Sequence, residues 1–169
     1  MEHRDLKIIE TEGGYLIKVY GRANFNYGMS LRNFARNLTG DFGQVCIDLK
    51  ACEAMDSTFM GTLAMLGLKG TKLNRQVEIL NASEFCRGLL RGLGLNRLFK
   101  FENREAPDSG EIVSDLKSAD LKMDTAETVV EAHKTLVEAD SDNAAKFGAV
   151  IDYAEKDLQK LKDQNQQDS

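Results

Sequence analysis

Few residues in this chain have the types and spacing to do chemistry. The most suggestive run is Asp56-Ser57-Thr58-Phe59-Met60-Gly61, where a carboxylate and two hydroxyls open a stretch of helical periodicity. It follows a short β-branched run, Val45–Leu49, and a loop, Lys50–Met55. Ser57 reads as the N-cap of the helix, its side-chain oxygen accepting an otherwise unpaired backbone N–H. A hydroxyl there also suits regulated phosphorylation. The exposed N–H groups and positive dipole end of a helix tolerate a phosphate, so the fold survives. The surface nonetheless gains about −1.5 to −2 charges beside Asp56, enough to eject a docked partner. The capping and switching roles are compatible.

The other candidates reduce to structure. Asp41-Phe42-Gly43 matches the magnesium-binding triplet of protein kinases, but no Gly-rich phosphate loop or His-Arg-Asp accompanies it, so it reads as a turn. Gly92-Leu93-Gly94 lacks the third glycine of a dinucleotide fingerprint and reads as a helix stop. His133 lies on the apolar face of an acidic helix with no further ligands in register, which predicts packing and not a metal site. Cys46 and Cys86 read as small core residues. With Cys52 they make an odd count without pair spacing, so neither a disulfide framework nor a structural zinc is expected. Arg87, Arg91, Arg97 and Lys100 read as a solvated face. No His, Lys or paired carboxylate is in register to serve Ser57 as a base, and the chain is expected not to be an enzyme and to need no cofactor or metal.

Around the Asp56–Gly61 run, strand and helix signals alternate. Leu6–Glu10 and Tyr15–Tyr20 are β-rich and separated by Glu12-Gly13-Gly14, a hairpin signature, and Gly21 closes the second run. Met29, Leu31, Phe34, Ala35 and Leu38 recur at helical steps between about Tyr27 and Leu38, as do Phe59, Met60, Leu63, Ala64, Leu66 and Leu68 further on. Gly61, Gly67 and Gly70 weaken that second helix by about 1 kcal/mol each relative to alanine, tolerable if it lies close against a sheet. Val77–Leu80 predicts a strand, Ser83 caps a helix carrying Phe85, Leu89 and Leu90, and Leu98–Phe101 reads as a last strand. The order β-β-α-β-α-β-α-β predicts an α/β fold, a mixed sheet covered by helices.

Charge divides the chain. Of its 169 residues, 1–101 hold 14 Lys/Arg against 10 Asp/Glu, net +4, while 102–169 hold 8 against 17, net −9. Ten of the 12 aromatics and 12 of the 14 glycines fall in the first part, and the single proline, Pro107, sits just past the change. We read residues 1–101 as an α/β domain, 102–122 as a linker, and 123–169 as an acidic helical extension. The extension carries one stripe over Val129–Val137 and a second over Phe147–Leu161, broken and capped at Ala139–Asn143, which predicts a helical hairpin. Its apolar faces are expected to bury against each other and the first domain, or to mediate homo-oligomerisation. A net charge of −5 argues against direct nucleic-acid binding, no 18-residue apolar run exists for membrane insertion, and the charged N-terminus leads into no secretory signal. The expected location is cytoplasmic.

Strand, loop, Asp-Ser-Thr-Phe-Met-Gly, helix resembles the STAS domain of bacterial anti-sigma factor antagonists, which usually read Asp-Ser-Ser-Gly-Leu-Gly at this place. The likeness spans about residues 5–101, including Gly21, the Val77–Leu80 strand and the late segment from Phe85 with its Gly94-Leu95-Asn96-Arg97-Leu98-Phe99 ending. The resemblance implies a STAS-type fold and a partner-switching, transcription-regulating module. The unmodified antagonist binds an anti-sigma factor, often a serine kinase; phosphorylation of the Ser after the Asp breaks the complex, and a phosphatase restores it. Carried over, Ser57 is the phosphoacceptor, Thr58 a weaker one, and Asp56, Ser57, Thr58, Phe59 and Asn24 are the partner-binding residues. The chain departs from the pattern twice. Asn24 stands where the family often has an acidic residue, and Phe59 replaces the usual glycine. A second reading is a STAS-like accessory subunit of a membrane lipid-transport ABC system without a phospho-switch. A third, a small-ligand binder or hydrolase using Ser57, has the least support.

Overall fold

The computed structural model describes residues 6–106, 110–113 and 121–167; the compositional boundary at Pro107 lies outside them. The expected hairpin forms between β1 (Leu6–Thr11) and β2 (Gly14–Val19), with Thr11 paired to Gly14. Gly14 adopts a φ of 150°, and a side chain there would run into the backbone of Gln44. The second glycine therefore serves the crossing as well as the turn. Next to β2 lies β4 (Gln44–Asp48), then β6 (Val77–Leu80) and β7 (Phe99–Glu102), each parallel to its neighbour. On the other edge β8 (Glu111–Ile112) pairs antiparallel with β1, giving the six-stranded order β7-β6-β4-β2-β1-β8. The mixed sheet is as expected. Leu98–Phe101 is not the last strand, because two residues of the segment read as a linker pair with β1 and satisfy part of its open edge.

A second difference bears on the site. The loop read over Lys50–Met55 contains β5 (Cys52–Met55), and Gly21 opens a strand instead of closing one: β3 (Gly21–Ala23) runs parallel to β5 as a separate two-stranded sheet. β3 has three residues, and Cys52–Met55 holds no β-branched or aromatic side chain of the kind that marks β6 and β7, which is why neither is legible in sequence.

Helices α1 (Phe25–Asn37), α2 (Ser57–Lys72) and α3 (Glu84–Gly92) follow the strands as expected. One large apolar cluster joins the sheet to α1 and α2, with Ile17, Ile47, Phe59, Leu63, Leu66 and Ile79 fully enclosed. Gly67 faces the Phe99 ring and Gly70 the backbone of Arg75, so these glycines let α2 press onto its surroundings. A smaller cluster, Ile9, Leu16, Cys46 and Leu80, occupies the opposite face of the sheet, where Arg104 reaches buried Glu78 at 2.7 Å.

The acidic extension is two antiparallel helices, α4 (Leu121–Ala139) and α5 (Asn143–Gln167), linked by the Lys134–Glu155 ion pair at 2.6 Å and the His133–Phe147 ring contact. α4 packs across α1 and α2. Its end is anchored in the main core through Leu136 and Ala139, and Asn143 donates to the Leu93 and Leu136 carbonyls at 2.9 and 2.8 Å. Its beginning is held by Arg32, a guanidinium only 3% exposed, which bonds both carboxylate oxygens of Glu131 at 2.9 Å and Glu127 at 3.0 Å. The expectation of a buried hairpin holds for α4 and only in part for α5, whose Val150 and Tyr153 remain exposed.

The Arg32 clamp gives α4 a pH dependence. Hydrogen bonding and charge attraction from Arg32 hold the Glu131 carboxyl below its usual range, against the opposing effect of burial. A carboxylate whose pKa is depressed in the folded state stabilises that state fully above its unfolded value, about 4.3, and loses the contribution as pH falls through the folded value. Thermal stability is therefore expected to hold level from pH 7 to about 5 and to fall below about pH 4. Glu131→Gln should flatten that acid limb; an acid limb identical to that of the unmodified protein would contradict the assignment.

Candidate functional site

The short β3/β5 sheet builds the site. Pairing Ala23 with Met55, and the Asp56 N–H bond to the Ala23 carbonyl at 2.9 Å, bring two chain turns side by side. From each a helix departs. Asn24 caps α1, its side chain accepting from the Asn26 N–H at 3.0 Å, and Asp56 caps α2, accepting from the Phe59 N–H at 2.8 Å. Two positive helix ends thus lie adjacent.

Asp56, not Ser57, is the N-cap. Its carboxylate reaches the N–H three residues on, and an ionised acceptor makes the stronger bond at a helix start. Ser57 becomes the first helical residue, and its hydroxyl is released from capping. The hydroxyl bonds His133 Nε2 of α4 at 2.9 Å. The other ring nitrogen, Nδ1, lies 2.7 Å from the Val129 carbonyl. A carbonyl only accepts, so Nδ1 carries a proton, and in the neutral ring Nε2 is then the acceptor of the Ser57 O–H. The expectation that Ser57 has no basic partner is corrected here. A partner 76 positions away in the chain is supplied by tertiary packing, and the signal available in sequence was a histidine on an otherwise apolar stripe.

The remaining candidates separate by depth. Asp56 is exposed, and Asn24 and Ser57 are half-buried. Thr58 is buried with its methyl toward Gly28 of α1, leaving Ser57 as the more accessible hydroxyl. Phe59 is fully enclosed and meets Tyr27 edge to face at 6.3 Å between ring centroids, so its bulk fills the interior between α1 and α2. α4 covers the first turns of α2 closely: a Cβ on Gly61 would sit 2.7 Å from that of Ala132 and on top of its carbonyl.

A Ser–His pair invites comparison with nucleophilic catalysis, where the base is itself oriented by a third group. Val129 supplies the orientation. However, His133 is 3% exposed, and Ser57 does not line the 450 Å³ hollow, which lies between α1 and β1 around Asn33, Phe34 and Tyr15. The pair is built as a contact between helices.

Elsewhere the side chains with chemical potential are engaged in structure. Cys46, Cys52 and Cys86 are free and buried, and burial beside Glu78 pushes the Cys46 thiol up. Arg87 stacks over Phe101, Arg91 pairs with Glu84, Lys100 with Glu102, and Arg97 donates to the Ala139 carbonyl. The Phe42 of Asp41-Phe42-Gly43 is buried and the segment is a turn. Among the described residues no cluster of three or more His, Cys, Asp or Glu could hold a metal, and no helix is long and apolar enough to cross a membrane.

No family model matches the sequence, and no curated protein matches it. Among solved structures, that of the anti-sigma factor antagonist SpoIIAA in its unphosphorylated form is similar to this chain. It covers 60% of this chain and 89% of its own, with 13% sequence identity and a TM-score of 0.49. A likeness of that degree carries no functional assignment.

Proposed function

We propose that this chain is a protein-binding regulatory module of the anti-sigma factor antagonist type, switched by reversible phosphorylation at Ser57. The observation that supports it best is the division of labour at the start of α2. Asp56 caps the helix, so the Ser57 hydroxyl is not needed as a cap, and its modification would leave the helix start intact while displacing its bond to His133. Thr58 and Phe59 shape the face from beneath, and Asn24, Asp56 and Ser57 form its surface. A phosphate on Ser57 would lie at the N-terminus of α2, where the positive helix end favours an anion, while its charge beside Asp56 would repel an acidic partner surface. The expected partners are an anti-sigma factor with serine kinase activity and a phosphatase.

The test is to incubate the chain with a kinase-type anti-sigma factor and ATP, then map modified residues by mass spectrometry. Phosphoserine at Ser57 is expected, together with loss of binding by Ser57→Asp. No modification, with Ser57→Asp binding undiminished, would sink the switch. The second reading, an accessory subunit of a membrane lipid-transport ABC system without a phospho-switch, is favoured by one observation: the Ser57 hydroxyl is already engaged by His133. Co-purification with a membrane ATPase, unaffected by Ser57→Asp, would decide for it.

A further inference from the structure

The face that carries Ser57 is not vacant. α4 lies over it, and its two halves are held in different ways. From Leu136 onward the contacts are apolar and continuous with the main core, and Asn143 ties the turn to the Leu93 carbonyl. The earlier half buries Ala126, Val130 and Ala132 outside that core cluster and adds polar contacts, Glu127 and Glu131 on Arg32 and His133 on Ser57. Between these, Ala132 fits the notch that Gly61 leaves in α2. The covering helix belongs to the part of the chain with net charge −9, and the face it covers to the part with net charge +4.

We propose that the α1–α2 face around Arg32 and Ser57 is a docking surface for an acidic amphipathic helix, and that α4 is its resident internal occupant, competing with such a helix from a partner. This rests on the reading of the Ser57 face as the partner surface. The face itself dictates the chemistry of whatever replaces α4. Arg32 is nearly enclosed, so a partner that dries this face must bring carboxylates to it or leave a guanidinium unpaired in an interface, a costly arrangement. Gly61 admits only a small side chain. The Ser57 hydroxyl can donate or accept, so a polar group must stand opposite it. An incoming helix with two acidic residues one turn apart and a small residue directly after the second meets the first two demands, as Glu127, Glu131 and Ala132 do. Competition lowers the apparent affinity of a partner by the fraction of molecules in which the first half of α4 is lifted.

Two measurements on the full chain test this. In hydrogen–deuterium exchange, amides of residues 122–133 are expected to exchange at least tenfold faster than those of β4 and β6, through an opening that leaves the sheet intact. Exchange of all three at one global rate would overturn the proposal. A fluorescent peptide of residues 121–139 is then titrated against the unmodified chain and E127Q/E131Q, whose substitutions weaken the internal helix and leave the face untouched. The variant is expected to bind at least tenfold more tightly. Equal binding, or none by a variant whose circular dichroism is native, would overturn the proposal; should the variant not fold, the exchange measurement decides alone. Neither readout involves phosphate, so absence of phosphoserine at Ser57 overturns the switch and not this surface.

Discussion

Gly61→Ala is expected to destabilise the chain by about 1–3 kcal/mol, the range for forcing an extra group into a packed site. The sign is the informative part. In an exposed helix interior the same substitution stabilises by about 1 kcal/mol, because glycine pays more backbone entropy than alanine. Here the added methyl would meet the carbonyl and Cβ of Ala132. Backbone faces backbone across this contact, so no side-chain rotation relieves it, and either α4 shifts away from α2 or α2 bends. Urea denaturation of the two proteins measures the difference directly. A more stable Gly61→Ala protein would mean that α2 and α4 do not touch in solution. For a chain of this length each kcal/mol lost moves the melting temperature by about 2–4 °C.

Much of this fold is legible in sequence because it is periodic. The hairpin and the stripes of α1, α2 and α3 are carried by the spacing of apolar residues, and β4 and β6 by short runs buried on both faces. The site is legible only in half. Asp56 and Ser57 announce themselves because a helix start requires a capping side chain, but by sequence that cap falls to Ser57. Geometry decides for Asp56, since its carboxylate is the one that reaches the Phe59 N–H. β3 and β5, which bring Asn24 beside Asp56, hold no β-branched or aromatic side chain to mark them. Arg32 and His133 are illegible for a different reason. Each is a polar residue on a helix that reads as amphipathic, and its partner stands on another helix 76 to 99 positions away. The division at residue 101 separates the charge, and the apolar stripes beyond it predict burial against the first domain or self-association. In the structure the acidic helix α4 is part of the layer that covers α1 and α2, and the charge difference is spent across that contact.

Leu136→Ala should have the largest single effect, a loss of about 2–5 kcal/mol, the range for removing a fully buried leucine side chain. Leu136 lies in the acidic extension but has no exposed surface and belongs to the same apolar cluster as Ile47 and Phe59. Its loss is therefore felt by the whole domain, and urea unfolding should remain one cooperative transition with a lowered midpoint. Val150→Ala, one helix later on the exposed side of α5, is the contrasting case, expected to change stability by no more than about 0.5 kcal/mol. If the two variants behaved alike, the extension would be an independent appendage. If Leu136→Ala split the transition in two, α4 would be a separately folding unit, and its anchor would be no firmer than its first half. The difference between these outcomes matters for the docking face. A helix that covers Ser57 reversibly needs a firm end to return from, and Leu136 is the residue that supplies it.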